Sequence, residues 1–200
     1  MSTLSVDKVE PVGSTLTFGE SGDTFVIPAG ATFTNSGTST GFASGNTHVR
    51  QWRLTANFTG NAIPLITNLV EVSSPVGYGK LPASAPMTKD GSGKFTFPVT
   101  GTWYLIFSAF GGTANYDDYE ADIRTTTNNS TYTIAAVTGH HNINAAQWFI
   151  PYVSCMFNVT DTTQCKCDFN LTYSDAAVTT RGDADKNETY ITFIRLGDSL

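Results

Sequence analysis

Side chains able to do chemistry are few and scattered. Histidine occurs at His48, His140 and His141, and cysteine at Cys155, Cys165 and Cys167. The chain has no His-Glu-x-x-His zinc helix, phosphate-cradling loop or Gly-x-Gly-x-x-Gly turn. A Ser–His–Asp arrangement is defined by geometry rather than spacing, and nothing in the order of residues favours one. His140 and His141 follow Gly139 and are expected as an exposed loop pair. Cys165-Lys166-Cys167 sets two thiols on one strand face, and Cys155 plus a histidine would complete four zinc ligands. The paired-knuckle spacing of structural zinc sites is missing, so the three thiols are expected free, as small apolar fillers of a buried face. A disulfide between i and i+2 on a strand is poor, because its Cα atoms stand near the ~7 Å limit.

Asp118, Glu120 and Asp122 alternate and so share one strand face, with Tyr119, Ala121 and Ile123 on the other. The expectation is a solvated acidic face over a buried one. The competing chemistry is a calcium site, since hard cations collect carboxylate oxygens, but three carboxylates along a flat strand diverge without a loop or subunit to help. Arg181-Gly182-Asp183 falls in the polar stretch Thr179–Glu188, which reads as an exposed loop. No metal and no cofactor is expected, and no catalytic residue is assigned: the chain reads as a non-enzyme.

The elements that would position these groups are β-strands. Threonine numbers 31 and leucine only 10, and charged residues are 14% of the 200. Thr, Phe and Tyr fit a pleated, half-buried surface, and a shortage of Leu, Lys and Glu removes the best helix formers. Candidate strands are Val49–Phe58, Ala62–Val72, Gly93–Pro98, Thr102–Phe110, Tyr116–Thr125, Thr131–Val137, Gln147–Asn158, Gln164–Tyr173 and Thr189–Leu196. Turn residues such as Asp90-Gly91-Ser92-Gly93 and Asn128-Asn129 separate them, a pattern of sandwiches and jelly rolls. Residues 1–46 differ: Phe18, Phe25, Ile27 and Phe33 lie on pieces too short to be stable alone, between glycine-rich turns. The expected division is a β mount over 1–46 and a head over 47–200.

Net charge is −6 and no basic cluster exists, which argues against nucleic acid and against an anionic membrane as partners. The N-terminus carries no basic and apolar leader pattern, and the longest strongly apolar run, 103–110, falls far short of the roughly 20 residues of a spanning helix. A soluble chain made in a cytoplasm is expected. In Thr102–Phe110 both faces are apolar: Trp103, Leu105, Phe107 and Ala109 on one, Tyr104, Ile106, Ser108 and Phe110 on the other. A two-sheet sandwich strand needs only one apolar face. The second is expected to meet another subunit, with Trp103, Tyr104, Ile106 and Phe110 as the contact residues; the alternative is a third layer folded over it.

The stretch Gly93-Lys94-Phe95-Thr96-Phe97-Pro98-Val99-Thr100-Gly101-Thr102-Trp103-Tyr104-Leu105 resembles the signature of the globular heads of the complement-recognition and tumour-necrosis-factor superfamily, Gly-x-Phe-x-x-Pro-x-x-Gly-x-Tyr. Trp103 takes the usual aromatic place and Tyr104 follows it. Thr189–Leu196 is similar to that family's last strand. This resemblance implies an antiparallel jelly roll that forms tight trimers, with both chain ends near one pole. The segment from Thr15-Leu16-Thr17-Phe18-Gly19 through Gly41-Phe42 looks like a module of fibre and other structural proteins of bacteriophages, especially marine ones.

Together the two resemblances imply an all-β, homotrimeric virion protein assembled in the host cytoplasm. Phe18, Phe25, Ile27 and Phe33 would attach it to the major capsid protein or other virion proteins. Its head would serve as capsid decoration or a head-fibre knob, or as a tail-fibre receptor-binding protein; a secreted complement-like trimeric ligand and a jelly-roll hydrolase are the alternatives from other classes. A head that meets a host-surface glycan would present aromatics and amides at its outer loops, such as Trp148, Tyr116 or Asn142.

Overall fold

A computed structural model of the chain describes residues 46–73, 85–113, 117–142 and 147–200, together with Thr24, Gly30 and Lys80. The chain divides into two units, Met1–Phe42 and Ala43–Leu200. Phe18, Phe25, Ile27 and Phe33 of the expected mount lie outside the described residues.

The described residues form strands and no helix. In chain order they are β1 (Val49–Leu54), β2 (Phe58–Thr59), β3 (Leu69–Glu71), β4 (Thr88–Lys89), β5 (Phe95–Thr96), β6 (Gly101–Ser108) and β7 (Gly111–Thr113). There follow β8 (Asp117–Thr126), β9 (Thr133–Asn142), β10 (Gln147–Phe149), β11 (Tyr152–Val159), β12 (Lys166–Tyr173), β13 (Thr179–Thr180) and β14 (Tyr190–Gly197). They make a front sheet in the order β11-β6-β14-β1-β3, a back sheet β4-β5-β12-β8-β9, and a small end sheet β10-β7-β13-β2. Every pairing is antiparallel.

Front and back sheets face each other across an aromatic core. Phe107 and Phe193 of the front meet Phe169 of the back at ring-centroid distances of 5.4 and 5.8 Å, and Phe95 packs on Trp52 at 5.2 Å. The apolar side chains turned to the core alternate along each strand: Tyr119, Ala121 and Ile123 in β8, and Cys167, Phe169, Leu171 and Tyr173 in β12. Rings in edge-on contact add specific stabilisation to the area they remove from water.

Three expected strands are broken: Val49–Phe58 stops at Leu54 and resumes at Phe58, and the other two breaks contain a proline. Gln147–Asn158 divides into β10 and β11 around Ile150-Pro151, and the Ala109 amide donates to the Pro151 carbonyl (3.1 Å) across the break. Pro151 has no amide to offer a ladder. The end sheet is therefore the front sheet continued past a break, with β7 after β6 and β10 before β11. Ala62–Val72 is a strand only at Leu69–Glu71. Ala62 exchanges both backbone bonds with Leu171, and the Leu65 amide donates to Phe169, so the segment around Pro64 runs beside β12 beyond the end of β5. His140 and His141 fall in β9, opposite Tyr119 and Asp118, rather than in a loop.

Candidate functional site

Strand β6 is the middle of an interface-like surface. Its neighbours in register are β11, where Ser154 opposes Ile106 and Met156 opposes Tyr104, and β14, where Thr192 and Ile194 oppose the same two residues. Tyr104 and Ile106 are therefore flanked on the outer face by Tyr152, Met156 and Ile194. Met156 is 69% exposed and Tyr152 52%. The Tyr104 hydroxyl donates to Ser154 Oγ (3.0 Å), and Gln51 Nε2 donates to Thr192 Oγ1 (2.8 Å) further across the sheet. Hydrogen bonding to Tyr104 raises the Tyr152 phenol above its ordinary pKa.

The four expected contact residues do not share one place. Tyr104 and Ile106 lie half-buried on the outer face. Trp103 is fully buried, packed on Phe97 at 5.2 Å, and so belongs to the core of its own chain and not to a surface that could meet a second one. Phe110 lies past the end of β6, where its amide donates to Thr189 Oγ1 (2.9 Å) and its ring meets Trp148 on the end sheet. Tyr116 lies outside the described residues, as does the side chain of Asn142.

The outer face of the back sheet is polar along β8 and β12, with exposed Ile134 and Val137 on the β9 edge. Cross-strand pairs run Asp118–Ser174, Glu120–Thr172, Asp122–Asn170 and Arg124–Asp168 along β8 and the β12 edge. Arg124 grips Asp168 through two bonds of 2.8 Å, and Asn170 Nδ2 donates to Asp122 Oδ1 (2.7 Å). Asp168, Asn170 and Asp122 are buried, while Asp118 and Glu120 are exposed. The expected acidic face is thus split: burial pushes the Asp122 carboxyl up, and Asp122 is bound to an amide rather than facing its neighbours. Tyr132 packs beside this ladder, its ring 5.2 Å from Lys94 Nζ, and burial pushes its phenol up to about 12. Asp118, Glu120, Thr172 and Ser174 line an open depression of about 270 Å³. Among the described residues no three His, Cys, Asp or Glu are arranged to hold a metal ion.

The other candidates are structural in placement. Cys165 and Cys167 are buried and Cys155 half-buried, all as free thiols. Burial pushes Cys155 up to about 11 and Cys167 well above the ordinary range, which removes thiolate character. His48 is buried, 5.6 Å from the Trp103 ring, and burial with nearby Arg195 and Arg50 lowers its pKa. The Arg181-Gly182-Asp183 stretch is not a protruding loop. The Gly182 amide donates to Asn57 Oδ1 (3.0 Å) and the Asp183 amide to the Leu54 carbonyl (2.9 Å). A Cβ at Gly182 would stand 2.6 Å from the Leu54 side chain, so only glycine fits this approach. Gly37-Thr38-Ser39-Thr40-Gly41 has the Gly-x-Ser-x-Gly spacing of hydrolase nucleophile turns and lies outside the described residues.

No family model and no curated protein matches the sequence. Among solved structures the fold is similar to the Eiger TNF from S. frugiperda, with a TM-score of 0.51 over 78% of this chain and 96% of that one, at 8% identity. At that identity the likeness speaks for architecture alone. The chain has an all-β, antiparallel, tumour-necrosis-factor-like jelly roll.

Proposed function

We propose that the chain is a non-enzymatic, homotrimeric jelly-roll head that serves as a virion structural protein. The observation that carries the oligomer is the outer face of the front sheet, where Tyr104, Ile106, Tyr152, Met156 and Ile194 present apolar surface that the sandwich itself does not use. A face of this kind is the usual mark of a subunit contact. The virion assignment rests on the likeness of the Thr15–Phe42 stretch to phage fibre modules, which would mount the head on capsid or other virion proteins. Mass spectrometry of purified particles tests it. Hundreds of copies per particle mean a capsid decoration, a few mean a fibre, and complete absence from particles overturns the assignment.

The second reading is a secreted trimeric ligand of the complement-like kind, favoured by the similarity to the Eiger TNF fold. It shares the trimer and differs in location: the protein would be recovered from the medium of the producing organism and not from particles.

A further inference from the structure

We propose that the outer face of the end sheet binds a neutral pyranose sugar, with Trp148 as the stacking platform and Arg181 as the donor at its rim. The proposal rests on the reading of the chain as an exposed head and names the class of surface that head would meet. Of the three tryptophans, Trp103 is buried and Trp52 half-buried, whereas Trp148 is 62% exposed.

The indole is exposed yet held. In register, Trp148 of β10 opposes Gly112 of β7, Gly112 opposes Thr179 of β13, and Thr179 opposes Thr59 of β2, so the four share one face. The ring lies against the glycine: a Cβ at Gly112 would stand 2.4 Å from Cε3 and 2.6 Å from Cζ3. Phe110 leans on the indole at 5.3 Å between centroids and 60° between planes. The Arg181 guanidinium carbon sits 5.0 Å from the Phe110 ring and 5.2 Å from the Trp148 ring. Arg181 is itself pinned, its amide donating to the Phe110 carbonyl (2.7 Å) and its Nη2 pairing with Glu188 (3.2 Å). Flat ring and cation are thereby presented on a braced support, with the Thr179 hydroxyl on the same face one strand beyond Gly112.

A pyranose has one apolar C–H face bordered by hydroxyls. An exposed indole matches the face, and a guanidinium and the Thr179 hydroxyl match the border, since polar groups around an apolar surface fix a small ligand's orientation. Charge selects a neutral sugar. Arg181 and Lys186 are matched by Asp183 and Glu188 through ion pairs of 3.1 to 3.7 Å, and the chain as a whole is at −6. An acidic sugar would meet no unbalanced cation here.

The test is to titrate the full chain with methyl galactoside, methyl glucoside and N-acetylglucosamine, following tryptophan emission and heat. Saturable binding of one of them is expected, with a dissociation constant on the order of millimolar for a single sugar unit. Trp148→Ala should abolish the heat of binding while leaving the sedimentation coefficient unchanged. Gly112→Ala, which displaces the indole without removing it, should weaken binding about tenfold, and Trp148→Phe should keep part of it. Failure of all three sugars to bind, or binding that survives Trp148→Ala, overturns the proposal. Dissociation of the oligomer by Trp148→Phe also overturns it, by placing the indole between copies of the chain, and leaves the trimer standing. Sugar binding by a chain that sediments as a monomer supports the site and counts against the trimer.

Discussion

The two sheets of the sandwich turn similar inner faces to one another and unlike outer faces to their surroundings. Outside the front sheet stand Tyr104, Ile106, Tyr152, Met156 and Ile194, with Ser154 and Thr192 on either side of Ile106; outside the back sheet stand Asp118, Glu120, Asp122, Arg124, Asp168 and Asn170, with exposed Ile134 and Val137 on the β9 edge. Both cover the same core, so the difference does not come from folding the sandwich. A polar outer face is what an antiparallel sheet against water carries. The larger apolar area on the front sheet is the feature on which the proposed contact with another subunit rests.

The largest effect should come from the shared core. Phe97 is buried against Trp103, Phe157 and Phe193. Phe97→Ala should cost about 3–5 kcal/mol in urea unfolding. Tyr104, one residue from Trp103 but on the outer face, should cost far less in the isolated protomer when changed to Ala, about 1 kcal/mol for the lost bond to Ser154. Equal losses at the two positions would erase the distinction between the faces.

Next comes the polar face. Arg124→Ala leaves the Asp168 carboxylate buried without its two bonds and should cost about 2–3 kcal/mol. Replacing both partners with apolar residues of similar size should recover most of that loss. If Arg124→Ala unfolds no earlier in urea than the parent, the ladder is only surface decoration.

The smallest effect concerns Asp122. Burial raises its pKa, so the folded chain takes up a proton at a higher pH than the unfolded one. The ionised carboxylate therefore weakens the fold at neutral pH, and that penalty fades as pH falls through the folded-state pKa, above the ordinary Asp value of about 3.9. Asp122→Asn should flatten this part of the stability profile measured by thermal melts against pH. An unchanged profile would mean that Asp122 titrates like an exposed carboxylate.

Alternation made the long strands legible: β6, β8, β12 and β14 fall within about two residues of the stretches read from sequence. What alternation cannot supply is partner and side. In Thr102–Phe110 both faces are apolar, so period alone cannot say which one is core, and only the packed sandwich shows that the Trp103 face is the inner one. The two-residue strands β4 and β13 are too short to show a period. Arg124 and Asp168 lie 44 positions apart, and only the register of β8 on β12 joins them. The support of Trp148 is legible afterwards as Gly111-Gly112, a place where side chains are missing because rings of Trp148 and Phe149 occupy the space.

The most direct test of the contrast is the sedimentation of the full chain at micromolar concentration, alone and with Ile106→Asp. The unaltered chain should sediment at three times its 21.4 kDa, and the variant, with a charge on the outer face of β6, should sediment as a folded monomer of unchanged circular dichroism. A monomeric unaltered chain, or a variant that stays trimeric, would contradict the assignment of the front sheet as the meeting face.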